Sequence, residues 1–206
     1  MWGGSVADEI SARIQKARLA FAKLHHLWRR RDVQLSIKGR VYCTTVRSVL
    51  LYDCETWSLK VEDMRRLQVF DHRCRRSISR TPWCHHVSNA EVRYGVFGRR
   101  GKSVEEVMNH HRLRWLGHVL RMPGRRLPRH TMLAEVGPGW KETRGGQTKT
   151  SDQCMKSVTV SLSRVGRRRL GGRGPRDKMN QYLETPGDMA ENRCQWLRCI
   201  HILSSS

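Results

Sequence analysis

Acidic residues are scarce in this chain: 18 Asp and Glu stand against 40 Lys and Arg, leaving a formal charge of +22 and a pI near 10.9. Such an excess costs self-repulsion on folding and calls for an anionic partner, nucleic acid before all others. Long apolar runs are missing too. None approaches the roughly 20 residues of a membrane span, and the basic residues spread along the chain instead of clustering beside an apolar anchor, which argues against a membrane partner. The start, Met1 to Ile10, lacks a basic n-region and an apolar h-region and so predicts no secretory signal. Seven cysteines, an odd count without regular spacing, predict reduced thiols and an intracellular setting, nucleus or cytoplasm. Alternating strand patterns are nearly absent, so the fold class is mostly α: a small helical bundle followed by a looser, loop-rich C-terminal region.

What is present is helical periodicity. Ile10, Ile14, Ala17, Phe21, Leu24 and Trp28 form a sustained stripe and predict a helix from about Val6 to Arg30. A second helix is expected over 36–52, with Ser36 as N-cap and Ile37, Val41 and Val49 inward. A third, over 61–79, carries Met64, Leu67, Phe70, Cys74 and Ile78 inward and Arg65, Arg66, Arg73 and Arg76 outward. Pro82 stops it. Ser88 with Glu91, and Ser103 with Glu106, have the spacing of capping boxes and open two further helices, the second reaching about Met122 before Pro123-Gly124. On that second helix Leu113, Trp115, Leu116, Val119, Leu120 and Met122 share one half of the helical circle. His110, His111, Arg114, His118 and Arg121 share the other.

Beyond residue 135 the texture changes to Gly- and Arg-rich connectors (137–148 and 167–178) around two short helices, over about 152–165 and 188–203, the last packing Met189, Trp196 and Ile200. The expected organisation is a helical domain over 1–80, a basic helical region over 81–135, and a poorly ordered remainder over 136–206.

The candidate nucleic-acid contacts are the cations off the apolar stripes: Arg13, Lys16, Lys23, Arg29, Arg65, Arg66, Arg73, Arg76, His110, Arg114, His118 and Arg121, with Arg144 in the Gly-rich connector. Interleaved aromatics (Trp28, Tyr42, Trp57, Trp83, Trp115) either stack on bases or fill helical cores; Trp28 and Trp115 sit on apolar stripes and point to the core, Trp57 and Trp83 lie in loops. Chemistry is harder to find. Cys74, Cys84, His85 and His86, and the set Cys194, Cys199 and His201, lack the paired spacing of structural zinc. Asp53 and Glu55 superficially resemble a polymerase carboxylate pair, but two-metal phosphoryl transfer needs several carboxylates on a palm sheet, and a turn or capping role suffices. His85, His86 and Asn89 have no identifiable carboxylate partner for a nuclease, and no phosphate-cradling glycine loop occurs. The expectation is no catalytic residue, no metal, no cofactor and no small-molecule substrate. The alternatives are a module that docks on an acidic protein or a small metal-dependent nuclease.

Several blocks together are specific enough to name a family. They are Ala12-Arg-Ile-Gln-Lys-Ala-Arg-Leu-Ala-Phe21, Lys38-Gly-Arg-Val-Tyr42, Val49-Leu-Leu-Tyr-Asp-Cys-Glu-Thr-Trp57 and Arg65-Arg-Leu-Gln-Val-Phe-Asp-His-Arg-Cys74. Arg112-Leu-Arg-Trp-Leu-Gly-His-Val119, Arg126-Leu-Pro-Arg129 and Arg144-Gly-Gly-Gln147 complete the set. Across about residues 3 to 200 the chain resembles the C-terminal part of the endonuclease–reverse transcriptase polyprotein of non-LTR (LINE-like) retrotransposons. The resemblance implies that residues from about Ile10 to Ile78 are a helical thumb gripping template-primer, and that the rest is the C-terminal region that helps hold RNA or DNA. It also implies that the polymerase and endonuclease centres belong to upstream parts absent from this chain. Asp53 stands where the family has glycine, and Asp tolerates a left-handed turn better than most residues. Ser151 and Arg173 stand where the family has tryptophan.

Overall fold

The computed structural model describes residues 6–99, 101–129 and 190–203, and among them there is no strand. The fold is mostly α. Its helices among the described residues are α1 (Val6–Lys23), α2 (His25–Arg29), α3 (Leu35–Val41), a π-helix (Tyr42–Arg47), α4 (Ser48–Leu50), α5 (Val61–Ser79), a 3-10 helix (Trp83–His85), α6 (Asn89–Phe97), α7 (Val104–Leu120) and α8 (Arg193–Leu203). The chain forms two compact units, 1–108 and 109–206. The first therefore extends well past residue 80, because α6 packs on both α3 and α5. The helix expected over 152–165, the connectors, Met189 and Arg144 lie outside the described residues.

In the first unit the α1 stripe is buried as its periodicity requires, at Ile10, Ile14, Ala17 and Trp28. The single helix expected to Arg30 is broken at Leu24, whose φ of −96° and ψ of 13° separate α1 from α2. Trp28 folds back there, stacking on Phe21 with centroids 5.2 Å apart and donating from Nε1 to the Phe21 carbonyl. The buried Lys38 ammonium then donates to the Trp28 and Arg30 carbonyls at the end of α2. A cation at a helix C-terminus answers both the orphan carbonyls and the dipole.

The second segment starts one residue earlier than expected, at Leu35 after Gln34, so Ser36 is not its cap. Its inward face is Lys38, Gly39, Tyr42, Val46 and Leu50, while Ile37 is exposed and Val41 and Val49 only half-buried. A widened turn is the physical reason for part of this shift. Thr44, Thr45 and Ser48 each donate a hydroxyl to a carbonyl three or four residues back, competing with the α-helical ladder where the π-helix runs. Gly39 has a separate reason to be glycine. A Cβ there would lie 2.4 Å from the Val96 carbonyl oxygen, so α3 and α6 touch backbone to backbone.

The chain leaves α4 through a turn in which Asp53 adopts φ 64°. Its carbonyl accepts from both the Thr56 amide and the Thr56 hydroxyl, so Asp53 is a turn residue in the left-handed region. Cys54 and Trp57 are buried behind it. α5 runs as expected over Val61–Ser79 and buries Leu67, Phe70, Cys74 and Ile78. The capping boxes form at both expected places, with Ser88 and Glu91 exchanging bonds at α6 and Ser103 and Glu106 doing so at α7.

In the second unit, Leu113, Leu116, Val119 and Leu120 of α7 are buried and His111, Arg114 and His118 are exposed. α8 is capped by Asn192, whose side-chain oxygen accepts from the Cys194 and Gln195 amides. Trp196, fully buried, lies over Gly117 and donates from Nε1 to the Leu113 carbonyl. A Cβ on residue 117 would meet that indole at 2.1 Å, so only glycine admits it.

Candidate nucleic-acid interface

α5 carries arginines on two opposite sides, and the structure uses them for opposite ends. On one side, Arg75 is 1 % exposed and pairs with the fully buried Asp71 one turn away; the Tyr42 hydroxyl donates to the other Asp71 oxygen at 2.7 Å. The Phe97 ring lies 5.3 Å from the Arg75 guanidinium. Burial lowers the Arg75 pKa to about 10 and raises those of Tyr42 and Cys74, the latter to about 12. A buried carboxylate held by a phenol and a guanidinium is a packing device.

Arg76, expected to face outward, is instead 6 % exposed. It donates to the Pro82 and Val87 carbonyls and to Asn89 Oδ1, and covers the Trp83 ring at 3.9 Å. The reason is the chain reversal after α5: the loop from Thr81 to Ser88 exposes carbonyls that an internal guanidinium satisfies. Asn89 is occupied in turn, accepting from Arg76 and offering Nδ2 to His72 Nδ1 at 3.2 Å. Burial, with Arg93 and Arg76 nearby, lowers the His72 pKa and favours the neutral ring that accepts this bond.

The other side of α5 faces α1 across a groove of about 670 Å³. Its α1 wall is Ser11, Ile14, Gln15, Arg18 and Phe21, one turn apart on a single face; its α5 wall is Glu62, Arg65, Arg66, Val69, Phe70, Arg73 and Cys74. Arg66 donates to Ser11 Oγ at 2.8 Å near one end and lies 3.9 Å from Asp63. Arg18 is close enough to Cys74 at the other end to bear on its thiol, so the two helices run in the same direction along the groove. Arg18, Arg65 and Arg73 are exposed and have no carboxylate partner among the described residues.

The remaining expected contacts divide in the same way. Lys16, Lys23 and Arg29 are exposed. Arg13 is half-buried: it pairs with Glu9 at 2.6 Å and lies 4.5 Å over the Tyr52 ring. In the second unit Arg114 and His118 are exposed, His110 is half-buried, and Arg121 donates to the Ala190 carbonyl. Among the aromatics, Trp28, Tyr42 and Trp57 are buried and unavailable for base stacking; Trp83 is 62 % exposed, with Arg76 on one face. Cys74 is buried while Cys84, His85 and His86 are exposed.

Sequence reasoning missed Arg18 because it sits at the edge of the α1 apolar stripe, where nothing but its turn-wise spacing from Ile14 and Phe21 marks it. It also missed the burial of Arg75, although the Asp71–Arg75 spacing of four has the form of a helical ion pair. No family profile, curated protein or solved structure matches the chain.

Proposed function

We propose that the chain is a non-catalytic nucleic-acid-binding fragment that grips phosphates with basic helices, and that it corresponds to the thumb and C-terminal region of a non-LTR retrotransposon reverse transcriptase. One observation carries the binding reading. In the first unit Glu9, Asp32, Asp63 and Asp71 each neutralise an arginine, yet Arg18, Arg65 and Arg73 line one groove unneutralised. Guanidinium groups arranged this way form bidentate contacts with phosphate oxygens. The sequence blocks from Ala12 to Gln147 supply the resemblance to the retroelement family, and the net charge of +22 supplies the long-range attraction.

Salt titration tests this reading. Each neutralised phosphate contributes about −0.7 to the slope of log affinity against log salt for a single strand and about −0.9 for a duplex. Binding of a labelled oligonucleotide to the full chain is expected to weaken steeply between low and moderate salt. An affinity unmoved by salt overturns the proposal.

A further inference from the structure

The arginines explain attraction to any polyanion; the floor between them narrows the choice. We infer that the α1–α5 groove takes a short stretch of single-stranded nucleic acid, with its phosphates on Arg18, Arg65 and Arg73 and its bases turned onto the apolar floor. This rests on the phosphate-binding reading above and assigns this groove to a single strand, apart from the template-primer duplex that a thumb grips.

The apolar lining, taken as its floor, is Ile14, Phe21, Val69 and Phe70, of which Phe21 and Val69 are not buried. Val69 is 42 % exposed, an apolar side chain in the middle of a cationic surface. A duplex keeps its base faces stacked inside and offers a protein only phosphates, sugars and groove edges, so an apolar floor has nothing to meet. A single strand offers phosphates and base faces together, and aromatic or apolar side chains between cations are how such strands are held. The dimensions agree. Arg65 and Arg73 are eight residues apart on α5, or about 12 Å along its axis, which is the length of three to four stacked nucleotides at about 3.4 Å each. The groove volume of about 670 Å³ suits a few bases. Glu62 and the Arg66–Ser11 bond lie at one end. The unneutralised Arg18 and Arg73 lie toward the other, which marks the end where a strand is held most strongly.

An acidic amphipathic protein helix is the competing occupant. Arginine on both walls, in a chain with an excess of cations throughout, favours the phosphodiester.

The test measures binding of a labelled 12-nucleotide single strand and a duplex of the same sequence to the full chain, by fluorescence anisotropy at one salt concentration. Phe21→Leu removes the ring, and Val69→Ser, at an exposed position, changes the floor with little risk to folding. Expected are a roughly tenfold loss of single-strand affinity for Phe21→Leu and a smaller loss for Val69→Ser, with duplex affinity unchanged. Equal loss on both ligands, or no loss for Val69→Ser with Phe21→Leu still folded by circular dichroism, overturns the groove assignment. In that case Arg65→Gln with Arg73→Gln still weakens binding if the broader reading holds. If neither ligand binds wild-type chain, the broader reading fails as well. Tight capture of an acidic amphipathic peptide, blocked by Val69→Ser and stronger than the strand, overturns the inference in favour of a protein partner.

Discussion

The covered and the open arginines of α5 are the same residue type and do different things. On the core side, Arg75 pairs with the Asp71 carboxylate beside the Tyr42 phenol; Arg76 shares the groove-side face of the helix with Arg65 and Arg73 but is covered at its C-terminal end by the following loop and answered by an amide and loop carbonyls. On the groove side, Arg65 and Arg73 sit one and three turns along with no such partners among the described residues. A buried guanidinium survives only where its charge is answered, as Asp71 answers Arg75. An exposed one without a partner adds little stability and leaves its charge for a ligand. The comparison therefore assigns stability to the covered arginines and binding to the open ones, and each set can be broken separately.

Arg75→Met is expected to destabilise most, by about 3–5 kcal/mol, because it leaves Asp71 buried without its partner. Chemical denaturation reads this; a loss under about 1 kcal/mol means that the pair is not an anchor. Replacing Asp71 and Arg75 together by apolar residues is expected to restore much of the loss, since neither charge is then stranded.

Arg76→Ala comes next, at about 2–3 kcal/mol, for the loop carbonyls and Asn89 left unanswered. Local hydrogen exchange in residues 81–88 is expected to rise with it. In the second unit, Gly117→Ala forces the Trp196 indole off the Leu113 carbonyl, at about 1–3 kcal/mol. Loss of the Trp196 fluorescence environment, with the first unit unchanged, checks this.

Alkali gives a milder version of the core-side test. Cys74 is shifted from 9.0 to about 12 and Tyr42 is raised as well, both through burial. Both groups are protonated in either state well below pH 9, so their contribution is complete there. Between pH 9 and about 12 the unfolded chain gives up the Cys74 proton that the folded chain keeps, and stability falls as pH rises. Thermal melts at about pH 8 and pH 10.5 are expected to show this drop, reduced in Cys74→Ala. A melting temperature that rises over that range contradicts it.

These contrasts also show how far the sequence was readable. The span of α5, both capping boxes and the α1 stripe follow from local spacing and stop signals, because turn periodicity and caps act within a few residues. The break at Leu24 and the rotated face of the second helix do not. They depend on Trp28 returning to Phe21, on Lys38 reaching across to α2, and on hydroxyls near the π-helix, which are all packing outcomes. Asp53 is an intermediate case: a turn was legible from residue type, and the structure adds its left-handed φ. The candidate site divides the same way. Arg65 and Arg73 were visible as cations off an apolar stripe, but Arg76 has the same helical credentials and is buried, because the loop after α5 folds over it. No local rule separates the two cases.

The smallest effect on stability is expected on the groove side, and it carries the most weight. Arg65→Gln with Arg73→Gln should change folding free energy by no more than about 0.5 kcal/mol, since neither residue supports the core. The most direct measurement of the central claim is the salt dependence of single-strand binding by wild-type chain and this double variant. The account predicts that the slope of log affinity against log salt becomes shallower by about 1.4, two contacts at about 0.7 each, with the melting temperature preserved. An unchanged slope at unchanged stability would show that these arginines do not meet phosphate and would contradict the account.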